Sequence, residues 1–361
     1  MRIASSVRAL VAYTPGEQPK RRDIIKLNTN ENPYAPSPRC VRILAGFDPD
    51  RLRRYPDPMF GELRSELAKL NGCAPENVFV GNGSDEVLSV SARAFVEDDE
   101  SIGSLDPSYS LYKTLAAIRN VEWTGVDVAA VRAAPAETAA TLAEKPRPVA
   151  LFLWTNPNAP TGTLEGERRI AAFAKAFPGV VVVDEAYADF ARANCMRLAT
   201  RRGNANVLVM RTFSKSYSLA GLRVGYAVGP RELIDAMYKV KDSYNVDALA
   251  QALALAAVRD QKWMKRNVAR VVRTRERFTA ELRRRGWDVP DSDANFVFAR
   301  PRLAGAGEGD AHAVAAEIFD RLRQDGIFVR YFPGTGTGDR LRITIGTDAQ
   351  MKALLAALDA L

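Results

Sequence analysis

The sequence predicts an α/β fold in which a large domain, a mostly parallel sheet between helices, is joined to a smaller α+β domain. Short β-branched or apolar runs alternate with helix-period stretches through the middle of the chain. Those runs are almost continuously hydrophobic, which means burial on both faces and therefore parallel strands covered by helices. After Val240 the pattern changes to strands that alternate apolar and polar, the mark of a sheet with one exposed face. A length of 361 residues fits two domains.

The expected large-domain strands are Val78-Phe-Val80, Val149-Ala-Leu-Phe-Leu-Trp154, Val180-Val-Val-Val183, Val207-Leu-Val-Met210 and Val224-Gly-Tyr-Ala-Val228. The Pro/Ala/Glu-rich stretch 131–148 reads as a helix with ragged ends or a surface excursion. An Ala-rich helix over 248–258 leads into a basic one. Between residues 259 and 285 lie 11 Lys/Arg against 3 Asp/Glu, which accounts for the whole net charge of +8. There Met264, Val268, Val271, Phe278 and Leu282 recur at helical spacing, so the arginines are expected on the solvated face of one long amphipathic helix. Nothing interleaves aromatic residues with these charges in a nucleic-acid-reading motif, and no nucleic-acid partner is expected. Asn295-Phe-Val-Phe298, Ile327-Phe-Val-Arg330 and Leu341-Arg-Ile-Thr-Ile345 are the strands of the smaller domain.

Composition narrows the function classes. Hydrophobic residues at 47% and charged residues at 26% are an ordinary globular mix. No apolar run approaches the roughly 18 residues of a membrane span, and the N-terminus shows no small-residue cleavage site. Three scattered cysteines, Cys40, Cys73 and Cys195, argue against a disulfide framework or a zinc site and point to a reducing compartment, the cytoplasm. The single histidine, His312, in an Ala-rich stretch, leaves little room for His-based catalysis or a metal site.

Ligands of an open parallel sheet sit beyond the carboxyl ends of its strands. After Val80 comes Gly81-Asn-Gly-Ser-Asp-Glu86, a tight turn with Ser84 as helix N-cap. It reads either as an ordinary capped helix start or as a place for an anion. After Val183 comes Asp184-Glu-Ala-Tyr187, a carboxylate in an apolar frame that needs a cation to answer it. After Met210 comes Arg211-Thr-Phe-Ser-Lys-Ser-Tyr-Ser-Leu-Ala-Gly-Leu-Arg223, which sets a lysine, hydroxyls and an arginine beyond the next strand. A lysine for an aldehyde, a carboxylate for a ring nitrogen and a helix N-terminus for a phosphate are the demands of pyridoxal 5'-phosphate.

The chain resembles the fold-type-I pyridoxal-phosphate aminotransferases, most closely the histidinol-phosphate aminotransferase group, over nearly its whole length. The matching motifs are Leu27-Asn-Thr-Asn-Glu-Asn-Pro33, Tyr55-Pro-Asp-Pro58, the turn at 81–86, Asp106-Pro-Ser-Tyr109, Asn156-Pro-Asn-Ala-Pro-Thr-Gly162, Val183-Asp-Glu-Ala-Tyr187, the stretch 212–223, Asn295-Phe296, Gly326-Ile-Phe-Val-Arg330 and Leu341-Arg-Ile-Thr-Ile-Gly-Thr347. The resemblance implies an N-terminal arm over 1–45 that contacts a partner and adds to the small domain, a cofactor-binding domain over 46–255 and a small domain over 256–361. It implies that Lys215 forms the internal aldimine and shuttles the proton, that Asp184 pairs with the pyridine nitrogen, that Tyr109 stacks on the ring and that Tyr187 bonds its phenolic oxygen. Backbone N–H groups of Ser84 and Asp85, with Thr212, Ser214 and Arg223, would hold the phosphate. Tyr55 would reach the phosphate of the neighbouring subunit, making the enzyme a homodimer. One position departs from the group: Ala159 stands where an asparagine usually bonds the phenolic oxygen, and Asn158 is expected to substitute by a small loop shift.

For the substrate, Arg342 lies mid-strand in an apolar setting, where an unpaired guanidinium would be costly, so it is expected to bind an anion. The resemblance adds Arg330 as a second arginine and Tyr13 as a hydroxyl from the other subunit. Together they would suit the phosphate of L-histidinol phosphate, with 2-oxoglutarate as the other substrate. A same-fold enzyme acting on an aromatic amino acid or decarboxylating threonine phosphate would keep Lys215, Asp184 and Arg223. Ser110-Leu-Tyr-Lys113 matches the Ser-x-x-Lys of penicillin-binding hydrolases but lacks their Lys-Thr-Gly and Ser-Asp-Asn elements.

Overall fold

The computed structural model describes residues 2–3, 5–8, 10, 17–19, 23–201, 203–302 and 311–361. Its larger sheet has seven strands: β1 (Val78–Gly81), β2 (Ser101–Asp106), β3 (Glu122–Asp127), β4 (Val149–Thr155), β5 (Val180–Asp184), β6 (Val207–Thr212) and β7 (Gly225–Val228), in the order β1-β7-β6-β5-β4-β2-β3. All are parallel except β7, which runs antiparallel to both β1 and β6. Alternation along each strand feeds two separate cores: Val181 and Val183 of β5 point to one face and Val182 to the other. On the first face Phe173 packs against Phe152 at 4.6 Å, Trp154 at 5.3 Å and Phe177 at 5.4 Å between ring centroids.

Two strands, β2 and β3, are absent from the sequence expectation. Ser101-Ile-Gly-Ser-Leu-Asp106 has too many small and polar residues to read as a strand, yet its first five residues are buried. Gly103 is there because the strand lies tight against its neighbour: a Cβ at that position would come within 2.8 Å of the Phe152 ring. The stretch 131–148 contributes to two short helices, Val128–Ala133 and Pro135–Ala143, divided at Ala134 ahead of Pro135.

The second sheet is built from β8 (Phe296–Ala299), β10 (Arg330–Tyr331) and β11 (Leu341–Thr344), with β11 central and antiparallel to both neighbours. Ahead of β10, β9 (Ile327–Phe328) pairs in parallel with Ile25–Lys26 near the start of the chain. The helices Gln261–Arg284, Ala311–Gln324 and Asp348–Asp359 close a core of Val271, Phe278, Leu282, Ile318, Leu341 and Ile343 against one side. The expected exposed face is not observed. All four residues of β8 are buried, because the other side of this sheet faces the larger one, with Phe296 edge-on to Tyr187 at 5.1 Å.

The basic helix also departs from expectation at one place. Arg275 lies on its buried side, donating to the carbonyls of Ala294 (2.7 Å) and Phe190 (3.3 Å). Burial pulls its guanidinium below the usual range. Among the outward arginines, Arg277 pairs with Asp348 and Arg283 with Asp291, while Arg270 lies over the Tyr34 ring. Replacing Phe173 by Ala should destabilise the chain by about 3–5 kcal/mol, the usual cost of a large cavity in an aromatic core. Urea unfolding monitored by tryptophan fluorescence checks this, and an unchanged midpoint would show that the cluster contributes little.

Candidate active site

The carboxyl ends of β1, β5 and β6, together with the inner side of the second sheet, enclose a cleft of about 590 Å³. Ser84, Asp85, Tyr109, Asp184, Tyr187, Thr212, Ser214, Lys215, Arg223, Arg330 and Arg342 all line it. The turn after β1 differs in detail from expectation: Gly83, at φ +84°, precedes the Ser84–Phe95 helix, and Ser84 is its first residue rather than its cap. The glycine is required by proximity as well as by φ, since a Cβ there would lie 2.6 Å from Arg223 Nη2. That guanidinium donates to Asp85 Oδ2 (3.0 Å) and Ser214 Oγ (3.3 Å), while Thr212 Oγ1 donates to Ser214 Oγ (3.0 Å). Backbone N–H groups at a helix start, two hydroxyls and an arginine thus share one corner, which is a cup for an anion.

Asp184 closes β5 with 4% of its surface exposed. Its Oδ1 accepts from the Ala186 N–H (3.0 Å) and its Oδ2 from the Tyr112 hydroxyl (2.8 Å). Burial is the larger influence and pushes its carboxyl up to about 6. Lys215 follows β6, and its Nζ donates to the Thr29 carbonyl at 3.0 Å. Burial, followed by the nearby positive charge of Arg342, pulls this amine from 10.5 down to about 8. An amine so shifted is partly neutral near physiological pH and is competent as a nucleophile and proton carrier. A buried ion pair fixes the loops that carry these groups. Arg211 donates to Glu185 Oε2 at 2.8 and 3.0 Å and reaches Asp189 at 3.3 Å, while Ser216 Oγ donates to Asp189 at 2.5 Å.

On the facing sheet Arg330 and Arg342 are direct cross-strand partners, and both guanidiniums lie over the Phe332 ring, at 5.2 and 5.1 Å from its centroid. Arg342 also donates to the Asn28 carbonyl at 3.0 Å.

One expected contact is not made in the cleft. Asn158 does not line the cleft: its amide donates to the Pro107 carbonyl (3.0 Å) and Thr161 Oγ1 (3.2 Å), and its Oδ1 accepts from Ser108 Oγ (3.0 Å), so both ends are used, tying its loop to the one after β2. Ala159 is the residue that faces the cavity. Tyr55 is 81% exposed and stacks on Tyr244 at 4.3 Å, outside this chain's cleft. Tyr13 lies outside the described residues.

Sequence reasoning missed the inner neighbours. Asn30 donates to the Tyr187 hydroxyl (3.0 Å) and accepts from Thr344 Oγ1 (2.9 Å), and Thr29 holds the lysine amine. Both lie in the motif at 27–33, whose density of asparagines was its visible signal. Tyr112, three residues after Tyr109, carried the helical spacing of a packing aromatic and no polar signal. The hydrolase-like pair is not assembled for such chemistry: the Lys113 amine sits over the Trp123 ring at 5.4 Å from its centroid. Among the described residues no group of His, Cys, Asp and Glu could hold a metal.

This donor set fits pyridoxal phosphate, with an anion cup roofed by Gly83, a buried carboxylate for the ring nitrogen and an amine of lowered basicity between them. The model of the class I and II aminotransferases matches residues 22–358. Over 356 residues the chain is 39% identical to histidinol-phosphate aminotransferase 1 of Trichormus variabilis, covering 98% of this chain and 97% of that one. It is 44% identical over 359 residues to histidinol-phosphate aminotransferase 1 of Bordetella parapertussis, covering 98% and 96%. The crystal structure of histidinol-phosphate aminotransferase from Sinorhizobium meliloti in complex with pyridoxal-5'-phosphate superposes with a TM-score of 0.87 at 28% identity, covering 99% of this chain and 96% of that chain. The chain therefore belongs to the class I and II aminotransferases, in the group of the histidinol-phosphate aminotransferases, and is a pyridoxal-phosphate-dependent transaminase of fold type I.

Proposed function

We propose that this enzyme exchanges the amino group between L-histidinol phosphate and 2-oxoglutarate in histidine biosynthesis, in the cytoplasm. The observation that carries the substrate is the arginine pair. Like charges directly opposite each other on neighbouring strands are unfavourable, and here both face the cleft. A phosphate dianion between them turns that repulsion into two charge-assisted contacts. Arg342 would serve the carboxylate of 2-oxoglutarate in the other half of the cycle.

When bound, pyridoxal phosphate supplies an electron-poor ring that takes up the charge left when a proton leaves the substrate carbon. The chain's own residues do the rest. Thr212, Ser214, Arg223 and the N–H groups at Ser84 and Asp85 would hold the cofactor phosphate, and Asp184 would keep a positive charge on the ring nitrogen. Tyr109 would pack on the ring and Tyr187 would donate to its phenolic oxygen. Lys215 would take the cofactor aldehyde and, once freed by the substrate amine, carry the proton at Nζ.

We read the enzyme as a homodimer. Val41, Leu44, Leu52, Tyr55 and Met59 are each 47–81% exposed within one short stretch, more apolar side chain than a lone surface carries. A partner seated there would bring Tyr55 to the other subunit's phosphate cup and Tyr13 to its substrate.

Replacing Arg330 by Ala should lower kcat/KM for L-histidinol phosphate about 10- to 100-fold, the equivalent of one hydrogen bond to a charged group. Turnover measured alongside phenylalanine and threonine phosphate distinguishes the same-fold alternatives. Full efficiency of the variant with the phosphorylated amine removes this reading. The pH behaviour follows from Lys215: with its amine at about 8, the neutral form dominates above that pH instead of above 10.5. The rate at which cofactor-free protein takes up pyridoxal phosphate, followed by absorbance, should rise through pH 8 and level off above it. A rate still climbing at pH 10 contradicts this.

A further inference from the structure

We propose that Tyr112 is a positioning residue for the reaction: its hydroxyl, fed by Thr155, holds the Asp184 carboxylate ionised and aimed at the cofactor ring. This rests on the reading of Asp184 as the partner of the ring nitrogen.

The geometry is a chain of hydroxyls ending on a carboxylate. Thr155 Oγ1 lies 2.6 Å from the Tyr112 hydroxyl, which lies 2.8 Å from Asp184 Oδ2. Proton counting gives it a direction. An ionised carboxylate only accepts, so Tyr112 donates to Asp184. The single Tyr112 proton is then used, so its oxygen accepts from Thr155; the single Ser108 proton goes to Asn158 Oδ1, so Ser108 is not a further link. Donors aligned head to tail polarise one another, which strengthens the last bond, the one on Asp184.

Three elements converge to build this. Thr155 ends β4 and is the register partner of Asp184 at the end of β5, while Tyr112 comes from the Leu111–Arg119 helix. Tyr112, Thr155 and Asp184 are 1%, 2% and 4% exposed, so water does not replace a lost bond. The titration of both groups agrees: burial raises Tyr112 well above the usual phenol range, which keeps it a donor, and its bond pulls Asp184 down against burial. A phenylalanine at 112 would pack equally well; the hydroxyl is present for the carboxylate.

The test uses full-length cofactor-free protein and measures pyridoxal phosphate affinity by equilibrium dialysis from pH 6 to 9. Tyr112→Phe should bind about 5- to 20-fold more weakly at pH 6.5, as expected for one hydrogen bond to a charged group. It should return to within about twofold of the unaltered protein by pH 8.5, where Asp184 is ionised regardless. Thr155→Val should shift affinity the same way by a smaller factor, and it carries the test if Tyr112→Phe does not fold. An equal loss at every pH, or no loss, overturns the proposal, because a packing role is indifferent to protonation. In an Asp184→Asn background Tyr112→Phe should add less than twofold, and a larger added loss also overturns it. An Asp184→Asn protein that binds the cofactor normally would instead refute the role of Asp184 itself.

Discussion

A carboxylate with 4% of its surface exposed keeps its charge only if something replaces the water it has lost, and Asp184 is held by two neutral donors, the Ala186 N–H and the Tyr112 hydroxyl. Its neighbour Glu185 is equally buried but is answered outright by Arg211. Adjacent residues on one strand end therefore meet different fates. Glu185 is a closed ion pair that fixes the loop to the next strand, whereas Asp184 is a charge prepared for a cationic ligand. In the proposed function the cofactor's ring nitrogen would supply that cation.

The second sheet completes the site by direct contact with the first. Phe296 packs on Tyr187, and Asn30 bridges Tyr187 to Thr344, the last residue of β11. The segment that pairs with β9 continues through Thr29, whose carbonyl holds the Lys215 amine. The arginine pair on β10 and β11 is thus set at fixed register against the lysine and the cofactor cup. Charge also acts across the gap, because Arg342 is the second-largest cause of the lowered basicity of Lys215. The guanidinium proposed to bind substrate anions thus lowers the basicity of the amine proposed to move the proton.

Much of this was legible in the chain because the relevant signals are local. Continuous apolar runs mark β4, β5 and β6, and the last two lead directly to Asp184 and Lys215 in the cleft. The losses also have physical causes. In β2, serine and glycine conceal a buried strand, since close approach to Phe152 demands a missing side chain more than a hydrophobic one. Arg275 falls between Val271 and Phe278 on the apolar stripe of its helix, and the carbonyls of Phe190 and Ala294 that make a charge tolerable there come from other segments. Asn158 carries the right chemistry one residue from the right place, and its bonds to Pro107 and Ser108 of a neighbouring loop hold it there. Tyr112 has no signal in one dimension, because its meaning comes from a carboxylate 72 residues later.

The central claim is that one amine, at Lys215, carries the cofactor opposite the Asp184 carboxylate. Reducing the purified, coloured enzyme with borohydride, digesting it and sequencing the labelled peptide by mass spectrometry tests this directly. The account predicts a single pyridoxyl label, on Lys215. A label on another lysine, or a protein that binds the cofactor and acquires none, would contradict it.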